Sequence, residues 1–227
     1  MRPEQTLPLA AARSDAPADL STNRVLRNTY WLLSATLLFS VAATAASAAL
    51  KLPPPGFILT LVGFFGLLYA TTKLRNSGWG LAAVFGLTGF MGYTLGPIVS
   101  HYLAMPNGHQ LVMMAMGGTG AIFVGLSAYT MASRRDFSFT GGFLLAGILV
   151  AFLAGLGAIF FEVPALSLTV SAAFVLLMAG LILFETSRII HGGETNYIMA
   201  TVSLYVSIYN LFSSLLALIG FGSSSSD

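Results

Sequence analysis

Polarity along this chain comes in short bursts, and apolarity comes in long unbroken runs. No Asp, Glu, Lys or Arg occurs from Asn76 to Ser133, from Phe137 to Phe161, from Val163 to Phe184, or from Thr195 to Ser226. Each run matches once or twice the roughly 20 residues that a helix needs to cross a hydrocarbon core. Turn formers divide the runs: Pro53-Pro54-Pro55, Asn76-Ser77-Gly78, Pro106-Asn107-Gly108 and Gly192-Gly193. Seven helices are predicted: Tyr30–Leu50, Gly56–Thr72, Trp79–Tyr102, Gln110–Ala132, Thr140–Phe161, Pro164–Phe184 and Asn196–Phe221. Lipid-facing strands of a barrel would alternate apolar and polar residues, and these runs do not. The predicted fold is an all-α membrane protein. The short Phe161–Val163 connection makes the fifth and sixth spans an antiparallel hairpin, and Pro164 suits a helix start.

Composition narrows this further. Charged residues make up 8% of the chain and hydrophobic ones 56%, where a soluble domain carries roughly 25% charge. Lipid is therefore the chain's partner. A net charge of +2 with no basic run excludes nucleic acid. The absence of cysteine excludes disulfides, zinc–thiolate sites and thiol catalysis.

The basic residues set the expected orientation. Arg2, Arg13, Arg24, Arg27, Lys73, Arg75, Arg134, Arg135 and Arg188 share one side, and Lys51 stands alone on the other. The positive-inside rule then puts the N-terminus in the cytoplasm and the Ser-rich C-terminus outside. Residues 1–29 carry scattered prolines and mixed charges without the apolar core of a signal peptide, and are expected to form a disordered cytoplasmic tail. Residues 30–221 form the transmembrane domain, and 222–227 a short polar tail. The seventh span is polar enough that a re-entrant segment is the alternative to a full crossing.

Small residues at helical spacing mark expected helix contacts. They are Gly117, Ala121 and Gly125 in span four, Gly147, Ala151 and Gly155 in span five, and Gly89, Gly92 and Gly96 in span three. Pro97 is expected to kink or break span three. Trp31, Trp79 and Tyr30 read as interface anchors.

Candidate chemistry collects in the last forty residues. Asn196, Ser203, Ser207, Asn210 and Ser214 recur at spacings of 7, 4, 3 and 4, which places them on one narrow helix face. Tyr205 and Tyr209 form a neighbouring row. Such a face avoids lipid, so the seventh helix is expected at the centre of the bundle. Glu185 ends the sixth span opposite the start of this stripe, with Arg188 one turn on. Catalysis finds little support. Gly125-Leu126-Ser127-Ala128 resembles an intramembrane protease motif but lacks its second glycine. Ser127 has no evident base among His101, His109 and His191, and no His-Glu-x-x-His occurs.

Phe184-Glu185-Thr186-Ser187-Arg188-Ile189 and Leu204-Tyr205-Val206-Ser207-Ile208-Tyr209-Asn210-Leu211-Phe212 resemble two signatures of the Bax-inhibitor family of membrane proteins. Gly89-Phe90-Met91-Gly92-Tyr93-Thr94-Leu95-Gly96-Pro97 is similar to its bacterial YccA branch. The resemblance covers roughly Asn23 to Gly220. It implies a seven-helix fold with a central last helix in a bacterial inner membrane. It also implies modulation of the membrane AAA protease FtsH and of membrane stress, with the N-terminal tail as the point of engagement.

The alternative it implies is a pH-sensitive calcium or cation leak gated by two aspartates on the last two spans. Their counterparts here are Glu185, which keeps the acid, and Ser207, which does not. Calcium affinity rises with carboxylate number, and coupled titration needs two acids. On this reading the ion pathway would use Glu185, Ser203, Ser207 and Asn210. Arg188 is the local counter-charge, and Arg75 or Lys73 a basic latch from the second span. Glu185 is the one candidate for holding Ca2+, and no other cofactor is implied.

Overall fold

The computed structural model describes residues 15–224, with side chains placed from 22 to 222. Its helices are α1 (Asp15–Ala49), α2 (Phe57–Leu74), α3 (Trp79–Leu103), α4 (Gly108–Ser133), α5 (Gly141–Phe160), α6 (Pro164–Ile190) and α7 (Tyr197–Ser224). All seven are long and apolar enough to cross a membrane, and no strand occurs among the described residues. The chain is an integral membrane protein with an all-helical fold.

The predicted boundaries hold to within a few residues, with two exceptions. Helix α1 begins at Asp15, fifteen residues before the expected Tyr30, so the second half of the expected tail is helical. The spaced charges of this stretch do not interrupt a helix that already has its apolar end anchored in the bundle. The expected disorder of residues 1–14 lies outside the described residues. Helix α6 runs on from Phe184 to Ile190, which carries Glu185 and Arg188 on helix rather than in a loop.

Loops gather by end. Asn196, just before α7, donates to the Arg75 carbonyl and to Asn76 after α2. The Ser187 hydroxyl at the end of α6 donates to the Arg135 carbonyl after α4. The arginine-rich loops therefore share one end of the bundle. At the other end, Tyr102 packs with Val99, Leu111 and Leu216.

Helix α7 packs against α1, α3, α4 and α6, while α2 leans on α3 and α5 on α6. The last helix is central, ringed by these four neighbours. It runs as one unbroken helix of 28 residues, a length that crosses a bilayer rather than re-entering it. Leu204 and Tyr205 are fully buried on it in one core with Leu87 and Val84 of α3, and Leu211 is buried in another with Met178 and Ile182 of α6.

Pro97 does not break α3, which continues to Leu103. A proline inside a helix leaves the carbonyl four residues earlier without its donor, and lipid cannot supply one. Here the Ser47 hydroxyl of α1 donates to the Tyr93 carbonyl at 3.1 Å. Thr44 does the same for Gly92 at 3.0 Å. The backbones approach this closely because Gly89, Gly92 and Gly96 face α1: a Cβ on Gly92 would stand 2.5 Å from the Ser40 carbonyl oxygen. In the hairpin of α5 and α6, Gly147 likewise receives Leu177. The stripe on α4 behaves differently. A Cβ on Gly117 or Gly125 would meet nothing within 4 Å, so the contact expected there is not made among the described residues.

Tyr30 also departs from its expected place. Its ring lies 6.0 Å from that of Phe123 inside the bundle, with its hydroxyl buried. Trp31 and Trp79 are three-quarters exposed, as interface anchors require.

Candidate functional site

The arginine-rich end of the bundle concentrates the polar chemistry. Glu185 is buried, at 5% exposure, where α6 faces α7. Its Oε1 accepts from Arg188 at 3.4 Å, and the Ser203 hydroxyl of α7 faces the same carboxylate. Arg188 is shared. It reaches Glu194 at 3.6 Å, donates to the Gly193 carbonyl at 3.2 Å, and lies over the Phe184 ring. One guanidinium thus ties a buried carboxylate to the loop that leads into α7. Glu194 in turn accepts from the Asn196 backbone N–H at 2.8 Å, so the network runs from Glu185 to the first turn of α7.

The structure brings Glu185, Arg188 and Ser203 together but leaves other candidates apart. Arg75 is exposed and contributes its backbone carbonyl, to Asn196, rather than a charge to Glu185. Lys73 lies over the Tyr69 ring. The latch on Glu185 comes from Arg188 on its own helix, because α2 packs against α3, at the edge of the bundle. Ser207 is fully buried, and its hydroxyl donates to the Ser203 carbonyl at 2.9 Å. Asn210 turns back on the Val206 carbonyl at 2.8 Å. The stripe of α7 therefore satisfies much of its hydrogen bonding within its own helix. Among the described residues, no group of three or more His, Cys, Asp and Glu stands where it would hold a metal ion. The acidic neighbour of Glu185 is Glu194, with which it shares Arg188.

Two features of this end went unread in the sequence. The first is a clamp between α6 and the loop after α4. Ser187 accepts from the Phe137 N–H at 2.9 Å, and His191 contacts the Arg134 carbonyl at 3.1 Å. Arg134 adopts a left-handed φ of 47°, which ends α4 and turns that carbonyl toward α6. Asp136 in the same loop accepts from the Ser138 N–H, and these Ser138 hydrogen bonds hold its carboxyl below the usual range. A Ser-Arg-Arg-Asp turn is the only sequence signal for this. The second is a set of buried hydroxyls without partners among the described residues, those of Thr29, Tyr30, Ser127 and Thr186. Ser127 is among them, 2% exposed, and the one histidine at this end bonds Ser187 and Arg134 instead. The geometry therefore supplies Ser127 with no base.

The tyrosine row is the other polar feature of α7. Tyr205 OH lies 2.5 Å from Ser40 Oγ and donates to the Thr88 carbonyl at 3.2 Å. Tyr209 OH lies 2.7 Å from Thr94 Oγ1. These bonds tie the central helix to α1 and α3 in the middle of the bundle.

A polytopic helical membrane protein with a central last helix and a buried carboxylate at its basic end is the class that fold and site define. The family described as "Inhibitor of apoptosis-promoting Bax1" matches residues 22–225, and the chain belongs to this Bax-inhibitor family. It is 53% identical over 215 residues to "Modulator of FtsH protease YccA" of Escherichia coli K12, covering 95% of this chain and 98% of that one. The same identity and coverage hold for a protein of Escherichia coli O6:H1 named "Inner membrane protein YccA". An uncharacterised protein of Pseudomonas aeruginosa is 54% identical over 196 residues, 86% of this chain and 88% of its own.

Proposed function

We propose that this chain modulates an FtsH-type membrane protease, from the bacterial inner membrane with its N-terminus in the cytoplasm. The observation that carries the proposal is the 53% identity, across 95% of the chain, to a protein named for that role. The name of its second relative and the crowding of arginine at one end support the membrane and the orientation. The site supports an interaction role rather than a chemical one: Ser127 has no base, and the buried Glu185 is paired with Arg188. The stretch before α1 is the part of the chain a processive cytoplasmic protease would grip, and relatives named as modulators or membrane proteins give no reason to expect an enzyme.

The test is co-purification with FtsH, together with turnover of a membrane substrate in proteoliposomes. Intact chain slows turnover and co-purifies. Deletion of residues 2–14, which spares α1, leaves the seven described helices folded and alters engagement. Turnover unaffected by the intact chain, with no co-purification, overturns the proposal. The ion-leak reading is tested in the same vesicles: cation flux above empty vesicles that changes with Glu185→Gln would put it first.

A further inference from the structure

Midway along α4, Phe123 meets Tyr30 of α1. Beyond that point the two helices flank a crevice of about 460 Å³, which reaches the central helix α7. Leu37 and Ala48 both line it, so at 1.5 Å per residue it extends about 16 Å along α1. That matches about half of the roughly 30 Å hydrocarbon core, the depth of one leaflet. The crevice occupies the half of the bundle opposite the arginine-rich end.

Its opening and its interior differ. Val41, Ala45, Met116 and Gly120 line it and are exposed, so it opens sideways between the helices toward the bilayer. Phe123 and Phe212 are half-buried in it, and Tyr205 is fully buried at its back. Its hydroxyls are already spent. Ser40 and Tyr205 bond each other, Tyr209 bonds Thr94, Thr44 donates to Gly92, and Thr119 donates to the Ala115 carbonyl. A water cluster or a polar headgroup needs several free polar partners, and every hydroxyl donor of these walls is already committed.

We propose that the crevice seats one acyl chain of a phospholipid from the leaflet opposite the arginine-rich end. The occupant is hydrocarbon because the walls are apolar and the polar groups are mutually satisfied. It is a single chain because the volume falls in the range of small-ligand sites and is elongated along the helices. Such a chain reaches the tyrosines of α7, which lipid at the outer surface of the bundle does not. The inference is independent of any protease partner.

Brominated-acyl phospholipids test it, since bromine quenches tryptophan on contact. With Trp31 and Trp79 replaced by Phe, a single reporter is placed either inside, by Phe123→Trp or Phe212→Trp, or at the rim, by Val41→Trp. The full-length protein is reconstituted in vesicles of brominated or plain lipid. The expected result is that inner and rim reporters both lose most of their emission. Adding Gly120→Leu, whose side chain enters open space, restores emission several-fold for the inner reporters alone. Circular dichroism confirms folding, and the two inner reporters guard against loss of either one. An inner reporter that stays bright beside a quenched rim reporter overturns the proposal, as does quenching that Gly120→Leu leaves unchanged.

Discussion

Helices α3 and α4 carry the same kind of sequence signal and put it to opposite uses. Gly89, Gly92 and Gly96 face α1 so closely that added Cβ atoms at Gly92 and Gly96 would run into Ser40 and Ser47. Gly117, Ala121 and Gly125 repeat at clean four-residue spacing, yet all three are exposed. Small-residue periodicity selects a helix face on which backbones can approach. It does not say whether this chain supplies the partner. The difference lies in what the neighbour offers: α1 brings Ser40, Thr44 and Ser47 at matching intervals, and these hydroxyls bond to the backbone and Tyr205.

A methyl group added to each stripe should separate the two helices. Gly92→Ala drives Cβ to 2.5 Å from the Ser40 carbonyl oxygen, a backbone atom that cannot swing away. Overpacking of this kind costs about 1–3 kcal/mol, so Gly92→Ala should show the largest loss of stability, read by steric trapping or by unfolding in mixed micelles. A Gly92→Ala protein as stable as the parent would mean that α1 and α3 are not packed this way.

Ser47→Ala comes next. It leaves the Tyr93 carbonyl, already deprived of its helical donor by Pro97, without a partner. The expected cost is about 1 kcal/mol. The diagnostic is a double-mutant cycle. In a Pro97→Ala background, the restored N–H of residue 97 satisfies Tyr93, and Ser47→Ala should then cost markedly less. Equal penalties in both backgrounds would assign Ser47 a packing role alone.

What the sequence made legible follows from the same physics. Spans, turns and the central place of α7 were readable because lipid punishes every exposed polar group, so composition alone reports them. Pairings were less so. The rule that Pro97 breaks its helix is a statement about one helix in isolation, and Ser47 lies fifty residues away. Glu185 and Arg188 were readable as a pair because one turn separates them, and the Ser203 face was readable from spacing. The share of Arg188 taken by Glu194 and Gly193 was not, since it depends on how the loop into α7 folds back. The expected reach of Arg75 to Glu185 failed because knowing that both lie at one end does not reveal that α2 is at the bundle's edge.

The stripe on α4 should respond least. Gly117→Ala and Gly125→Ala place a methyl group in open space, so no neighbour is displaced. The helix itself gains, because glycine within a helix is less favourable than alanine by about 0.5–1 kcal/mol. Stability should therefore hold or rise slightly for each, measured in dilute detergent and again at high protein-to-lipid ratio. Concentration is what gives the experiment its edge. If either substitution is neutral in dilute detergent but destabilises the reconstituted protein, the stripe on α4 has its partner in a second polypeptide, and the two stripes differ only in which chain supplies the neighbour. If both are neutral throughout, the α4 glycines serve no contact, and four-residue spacing on a lipid-facing surface is a weaker guide than its regularity suggests.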